Sequence, residues 1–244
     1  MIGIFSPSAP DADLADLIRE AVRFHEDGAD IVDLDTLRGG PFHGADEDTI
    51  ALLVRGLGEV GIPVSASTTS ADVASVAVDH GAAWIIDPSG ATADPAMRAV
   101  AGRSEAGWII GPWSPRRVDR YGAADAADAY TDGLVRNVAA LLDAGVRTDR
   151  IGLHAGAGLS AEDEESWRML NHLDRIASLG CRVLVDARDE ILAAMTADDA
   201  ERLEDAAVGL AVLGTGIGAW GIRVRSVGRV VGALQRMLEP RQIV

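Results

Sequence analysis

The sequence predicts a single closed (β/α)8 barrel, the TIM-barrel fold, from three observations. Short apolar runs rich in Val and Ile alternate along the chain with Ala-rich stretches whose apolar residues recur at helical spacing. Eight such strand and helix units follow one another in 244 residues, and about 250 residues is the usual length of this barrel. No linker rich in Pro or Ser interrupts the alternation, so we expect residues 1–244 to form one domain.

The predicted strands are continuously apolar, as is typical of parallel strands covered on both faces. In chain order they span residues 2–5, 30–35, 62–65, 83–87, 107–110, 151–154, 182–186 and 221–224. The predicted helices span residues 14–26, 46–57, 71–79, 95–101, 123–143, 162–177, 198–213 and 226–237. An open, doubly wound sheet is the alternative. Gly214, Gly216 and Gly218 follow a helix and precede a strand, the reverse of a dinucleotide-binding fingerprint, so they predict a turn.

The charge of the chain excludes several classes of partner and chemistry. There are 38 acidic residues against 22 basic ones, so we expect neither nucleic acid nor a membrane surface as a partner. Every basic residue is Arg, which excludes Schiff-base chemistry on lysine and a phosphate-binding P-loop.

Cysteine usage and the first residues predict a cytoplasmic protein. Cys181 is the only cysteine, so no disulfide forms within the chain, as is usual in a reducing compartment. Residues 1–7 lack the basic segment of a signal peptide. No apolar run approaches the roughly 20 residues of a membrane span.

The side chains at the carboxyl ends of the strands carry the chemistry in a barrel of this kind. These positions hold Ser6, Asp33, Asp35, Ser67, Thr68, Asp87, His154, Asp186, Arg188, Arg223 and Arg225. His154 is the only histidine at a predicted strand end, and with a carboxylate it can act as a general acid or base. We therefore expect a polar mouth that binds a small ligand.

Several short strings occur in the order found in one enzyme family. They are residues 28–33 (GADIVD), 61–65 (GIPVS), 86–90 (IDPSG), 153–158 (LHAGAG), 185–189 (VDARD) and 222–227 (IRVRSV). Taken together they resemble the dihydropteroate synthase family, the pterin-binding barrels of folate biosynthesis. The resemblance covers nearly the whole chain and implies the same barrel fold.

The chain departs from this family where the family binds the pterin ring. The resemblance implies a carboxylate after strand three, an Asn on strand four, a carboxylate on strand six and a Lys after strand seven. The matching residues here are Ser67, Ile86, His154 and Asp189. Each ring group left without a partner costs about 1–3 kcal/mol, so the resemblance implies loss of ordinary pterin affinity.

The positions that hold pyrophosphate in the family are also changed, although an anion site is better preserved than the pterin site. The family's strand-one Asn matches Ser6, its strand-eight Arg matches Arg223, and the His that follows matches Arg225. Arg38 matches an Arg of the loop after strand two, and Arg188 matches an Arg before the missing Lys. Two guanidiniums can clamp an anion. We expect no cofactor, except Mg2+ if pyrophosphate binds.

Two functions follow from these residues and from the resemblance. The first is a dihydropteroate-synthase-like barrel that is a pseudoenzyme, without the transferase activity. The second is an enzyme for another small anionic substrate, with His154, Asp87 and Asp186 as catalytic groups and Arg223 with Arg225 as an anion clamp. The other ligand-binding candidates are Asp35, Arg38, Ser67 and Arg188. Residual synthase activity is a third alternative.

Other arrangements of the same groups stay open. The carboxylates of the mouth can be neutralised by arginines in a closed ion-pair network, or can form a metal site with His154. The apolar stripe of the last predicted helix fits either a homodimer interface or packing on the barrel. This stripe consists of Val227, Val230, Val231, Leu234 and Leu238.

Overall fold

The computed structural model describes residues 1–7, 13–111, 123–155, 173–187 and 200–238. Eight parallel strands close into a barrel in chain order, with β8 paired to β1. They are β1 (Ile2–Ile4), β2 (Ile31–Asp35), β3 (Val64–Ser67), β4 (Trp84–Asp87), β5 (Gly107–Ile110), β6 (Ile151–Ala155), β7 (Arg182–Ala187) and β8 (Gly221–Val224). The predicted (β/α)8 barrel is confirmed, and the open sheet is excluded because both edges are paired.

Helices alternate with the strands throughout the described ranges. They are α1 (Leu14–Glu26), α2 (Glu47–Glu59), α3 (Ala71–Asp79), α4 (Met97–Arg103), α5 (Ala123–Asp143), α6 (Leu173–Ala177), α7 (Ala200–Gly216) and α8 (Val227–Leu238). Side-chain caps fix where several begin: Asp13 accepts a hydrogen bond from the backbone of Asp16, and Asp46 accepts one from Thr49. None of the described helices is long and apolar enough to span a membrane.

Strand β3 begins and ends two residues later than the sequence predicts. The backbone N–H of Ile62 bonds to Leu57 at the end of α2, so Ile62 belongs to the turn. Pro63 has no N–H to give to a strand ladder. Ser67 therefore lies inside the strand, with its side chain in the barrel, and not in the loop that follows.

The barrel interior changes from apolar to polar along its axis. Pairing in register places residues of neighbouring strands on the same face of the sheet. An inner apolar cluster consists of Ile2, Ile31, Ile86, Ile109 and Leu184. Acidic and hydroxyl side chains follow toward the carboxyl ends of the strands. Two larger apolar clusters lie between the sheet and the helices.

Two tryptophans and an arginine close the amino-terminal end of the barrel. The rings of Trp84 and Trp220 lie 4.6 Å apart. The guanidinium carbon of Arg182 is 5.3 Å from the Trp84 ring centre and 5.7 Å from that of Trp220, within the range of cation–π attraction. We call these three side chains the floor of the barrel. Because they cover the amino-terminal end, we expect a ligand-binding site at the carboxyl end.

The apolar stripe of the last helix packs at least partly on the barrel. Val227 and Val230 are buried in the core, and Val231 and Leu234 pack against the same cluster. The side chain of Leu238 lies outside the described residues. The homodimer stays a prediction.

Replacing two glycines by alanine tests the packing of the floor. A Cβ at Gly107 would overlap the ring of Trp84, so Gly107→Ala should lower the free energy of unfolding by about 1–3 kcal/mol. Gly209 lies exposed in α7 with open space around it, so Gly209→Ala should raise it by about 0.5–1 kcal/mol. Urea unfolding measures both changes. A Gly107→Ala variant as stable as the wild type would contradict the described floor.

Candidate active site

A buried arginine is the centre of the polar layer at the carboxyl end. Arg223 is fully buried. Its Nε and Nη2 donate to Asp33 Oδ2 at 3.0 and 2.6 Å, and Nη2 also donates to Asp35 Oδ2 at 2.7 Å. Its Nη1 lies 3.2 Å from Asp186 Oδ2. Burial disfavours the charged guanidinium, but the attraction of the three carboxylates outweighs it and raises the pKa of Arg223.

Strand register explains how these groups meet. Asp186 on β7 lies opposite Arg223 on β8, so those two side chains are neighbours on the inner face. Asp33 and Asp35 share the inner face of β2 because alternate residues of a strand point the same way. Strand β1 lies between β8 and β2, and the long arginine side chain reaches across it.

Two serines of β3 complete the environment of Asp33. Ser65 Oγ donates to Asp33 Oδ1 at 2.7 Å, and Ser67 Oγ lies 3.0 and 2.9 Å from its two oxygens. Burial raises the pKa of Asp33, and the negative charge of Asp35 raises it further. Arg223 and the hydroxyl of Ser65 lower this pKa, but the net direction is upward. Ser65 is not among the residues that the sequence singles out. Ser65 lies two residues from Ser67, on the strand that pairs with the one carrying Asp33 and Asp35. This spacing is the feature of the sequence that could have identified Ser65.

His154 on β6 is fully buried beside Asp186. Its Nε2 lies 3.1 Å from Asp186 Oδ2. Neither ring nitrogen makes an aligned hydrogen bond within the described part of the chain. The hydroxyl of Tyr130 on α5 donates to the backbone oxygen of His154 at 2.8 Å, which anchors the end of the strand. An imidazole beside a carboxylate is the arrangement of an acid–base pair.

Asp87 shapes the loop that follows β4. Its carboxylate accepts hydrogen bonds from the backbone N–H groups of Ser89 and Ala91, at 2.8 and 2.7 Å. Ala91 adopts a left-handed conformation, with φ of 60°, which is costly for a residue with a Cβ and is held by these bonds. Burial raises the pKa of Asp87, while these hydrogen bonds and the nearby His154 oppose the rise. Its predicted catalytic role stays a prediction.

The remaining predicted residues lie apart from this cluster or outside the described ranges. Arg38 is exposed in the loop after β2. Arg225 is half-buried, and its Nη1 donates to Ser6 Oγ at 3.1 Å. Arg223 is fully buried, and the clamp that it would form with Arg225 stays a prediction. Arg188 lies outside the described residues.

The described residues offer no ready metal site. No three His, Cys, Asp or Glu side chains among them are placed to hold a metal ion together. The network of Arg223 with three carboxylates is one part of the closed ion-pair arrangement that the sequence left open, and the part of the other arginines in it stays a prediction.

Comparison with known proteins decides the family. The profile of the family described as "Pterin binding enzyme" matches residues 4–225. The chain belongs to this family. The dihydropteroate synthase of Mycobacterium leprae is 30% identical over 95% of this chain and 87% of that protein. The "Inactive dihydropteroate synthase 2" of the same organism is also 30% identical, over 87% of this chain and 77% of that protein.

A solved structure agrees with the family assignment at the level of the fold. The dihydropteroate synthase of Coxiella burnetii, solved in complex with pteroic acid, superposes with a TM-score of 0.81 at 20% identity. The match covers 97% of this chain and 91% of that one. This chain is therefore a dihydropteroate-synthase-like barrel.

At the positions where this chain departs from the family pattern, the side chains contact other residues of the same chain. The hydroxyl of Ser67 is bonded to Asp33. Ile86 lies in the inner apolar cluster, and His154 contacts Asp186. Asp189 lies outside the described residues.

Removing the central guanidinium should destabilise the barrel strongly. Arg223→Met leaves three carboxylates buried without their shared partner, so we expect the free energy of unfolding to fall by about 3–5 kcal/mol. The exposed Arg38 is the control, and Arg38→Met should change it by no more than about 0.5 kcal/mol. Urea unfolding at neutral pH measures both. Equal losses in the two variants would contradict the described network.

The raised pKa values give a pH dependence with a defined sign. Asp33 and Asp87 have folded pKa values above the ordinary 3.8, so the folded state holds protons that the unfolded chain has released. Their contribution to stability is complete below 3.8 and is lost as the pH rises through the folded pKa values.

The substitution Asp87→Asn should reduce this loss. It removes one of the two groups, so the free energy of unfolding of the variant should fall less than that of the wild type as the pH rises from about 4 to 8. Denaturant unfolding across this range measures the difference. The exposed Asp72→Asn is the matched control and should keep the wild-type slope. Parallel curves for Asp87→Asn and the wild type would rule out the predicted titration.

Proposed function

We propose that this barrel has lost dihydropteroate synthase activity and serves as a non-catalytic member of its family. The observation that carries the proposal is the engagement of Arg223, the family's strand-eight arginine, by three carboxylates of the same chain. A guanidinium that is fully buried and neutralised in this way does not meet an incoming diphosphate.

The inner face of the barrel supports the same conclusion for the pterin ring. Ile86 replaces the amide that the family resemblance assigns to strand four, and it is completely buried among apolar side chains. Ser67 replaces a carboxylate and directs its hydroxyl to Asp33. A pterin placed there would leave polar groups unpaired, at about 1–3 kcal/mol for each group.

The relatives show that such loss is known within the family. One of the similar proteins of Mycobacterium leprae carries the name of an inactive dihydropteroate synthase, and this chain is as identical to it as to the named synthase of that organism, at 30% in both cases. Identity alone therefore favours neither outcome, and the proposal depends on the contacts of Arg223, Ser67 and Ile86.

A second candidate function is an enzyme for a different small anionic substrate. The 3.1 Å contact between His154 and Asp186 favours it, because it pairs an imidazole with a carboxylate. In this alternative the anion would be met by Arg225, since Arg223 is already engaged. Residual synthase activity is the third candidate and has the least support in these contacts.

A direct assay tests the proposal. Purified protein is incubated with p-aminobenzoate, dihydropterin pyrophosphate and Mg2+, beside the Mycobacterium leprae synthase as a positive control. We expect product at the level of the protein-free blank, and no rise in melting temperature with free pterin. A ligand at a hundred times its dissociation constant stabilises its target by about 2.7 kcal/mol, so binding would be visible. Turnover comparable to that of the control synthase would overturn the proposal.

A further inference from the structure

Asp35 connects the central arginine to the loop after β2. One carboxylate oxygen of Asp35 accepts from Arg223 Nη2 at 2.7 Å, and the other accepts from the backbone N–H of Leu37 at 3.0 Å. The backbone oxygen of Asp35 accepts from the N–H of Phe42, also at 3.0 Å. The same residue therefore holds Arg223 and both ends of the turn formed by residues 36–42.

Further contacts hold this turn against the barrel. Thr36 Oγ1 donates to the backbone oxygen of Ser67 at 2.9 Å. The ring of Phe42 is buried, 6.0 Å from that of Phe5. A Cβ at Gly40 would overlap Asp35, so only glycine fits where the turn passes over the carboxylate. The turn is thus packed onto the group that binds Arg223.

The three carboxylates play different parts around the guanidinium. Both carboxylate oxygens of Asp33 accept hydrogen bonds, from Ser65, Ser67 and Arg223. Asp33 lies farther from the carboxyl end of β2 than Asp35 does. Asp186 makes the longer contacts, at 3.2 and 3.4 Å. Asp35 is the last residue of β2 and makes a short bond, so it contacts the guanidinium from the carboxyl end of the barrel.

We propose that Asp35 is an internal ligand of Arg223, which makes the turn after β2 an autoinhibitory contact at the barrel mouth. The carboxylate occupies hydrogen-bond donors that would otherwise face a compact anion of the phosphate class, since planar guanidinium groups bind carboxylate and phosphate with the same donors. It also places a negative charge where the anion would bind, and opposed like charges cost several kcal/mol. The inference rests on the proposed function, because it explains what keeps Arg223 from a ligand.

The test is a gain of anion binding in Asp35→Asn. The amide keeps the size of the side chain and an oxygen for the Leu37 N–H, but removes the charge. Isothermal titration with inorganic phosphate and pyrophosphate should give a dissociation constant at least about tenfold lower than that of the wild type. Asp72→Asn removes one exposed carboxylate and should leave wild-type binding unchanged. Adding Arg223→Met to Asp35→Asn should abolish the gain.

Two outcomes would overturn the inference: a folded Asp35→Asn variant without the gain, or a gain that survives the loss of Arg223. If Asp35→Asn does not fold, the wild type and Arg223→Met are compared by thermal shift with pyrophosphate. The inference predicts no shift in either protein, and a larger shift in the wild type overturns it because Arg223 would then bind the anion with Asp35 in place. Synthase turnover by the wild type would overturn the proposed function, whereas an inactive wild type without gain in Asp35→Asn would overturn this inference alone.

Discussion

The bonding of Arg223 by Asp33, Asp35 and Asp186 is the interaction on which the carboxyl end of the barrel depends. It joins β8 to β2 across β1 and to β7 beside it. A buried charge without partners is very unfavourable, and removal of one partner from such a network typically costs 3–5 kcal/mol, in about the range of a whole domain's stability. The arginine therefore stabilises the fold, and the proposed loss of activity rests on these ion pairs.

An arginine lies toward each end of the barrel, in two different environments. At the amino-terminal end, Arg182 lies over the faces of Trp84 and Trp220. At the carboxyl end, Arg223 is enclosed by carboxylates. A planar guanidinium can do both, because it stacks on aromatic faces and matches carboxylate oxygens. In a chain without lysine, arginine fills each of these structural roles.

The fold could be predicted from the sequence because periodicity and length specify it, but the site could be predicted only in part. The two-residue spacing places Asp33 and Asp35 on one face of a strand, and the resemblance singles out Arg223. Their contact joins residues 190 positions apart, and only the closed register brings them together. The apolar run predicts β3 two residues too early in the chain, because the backbone of Ile62 completes the turn after α2. Arg188 lies outside the described residues.

The state of the Arg223 side chain tests the central claim most directly. Nitrogen NMR on arginine-labelled protein follows the exchange of its Nε proton with water, with the exposed Arg38 as an internal reference and Arg223→Met for assignment. A guanidinium that is fully buried and bonded to Asp33 should exchange far more slowly than Arg38, and its resonance should not move when pyrophosphate is added. Exchange as fast as that of Arg38, or a shift with pyrophosphate, would contradict the account.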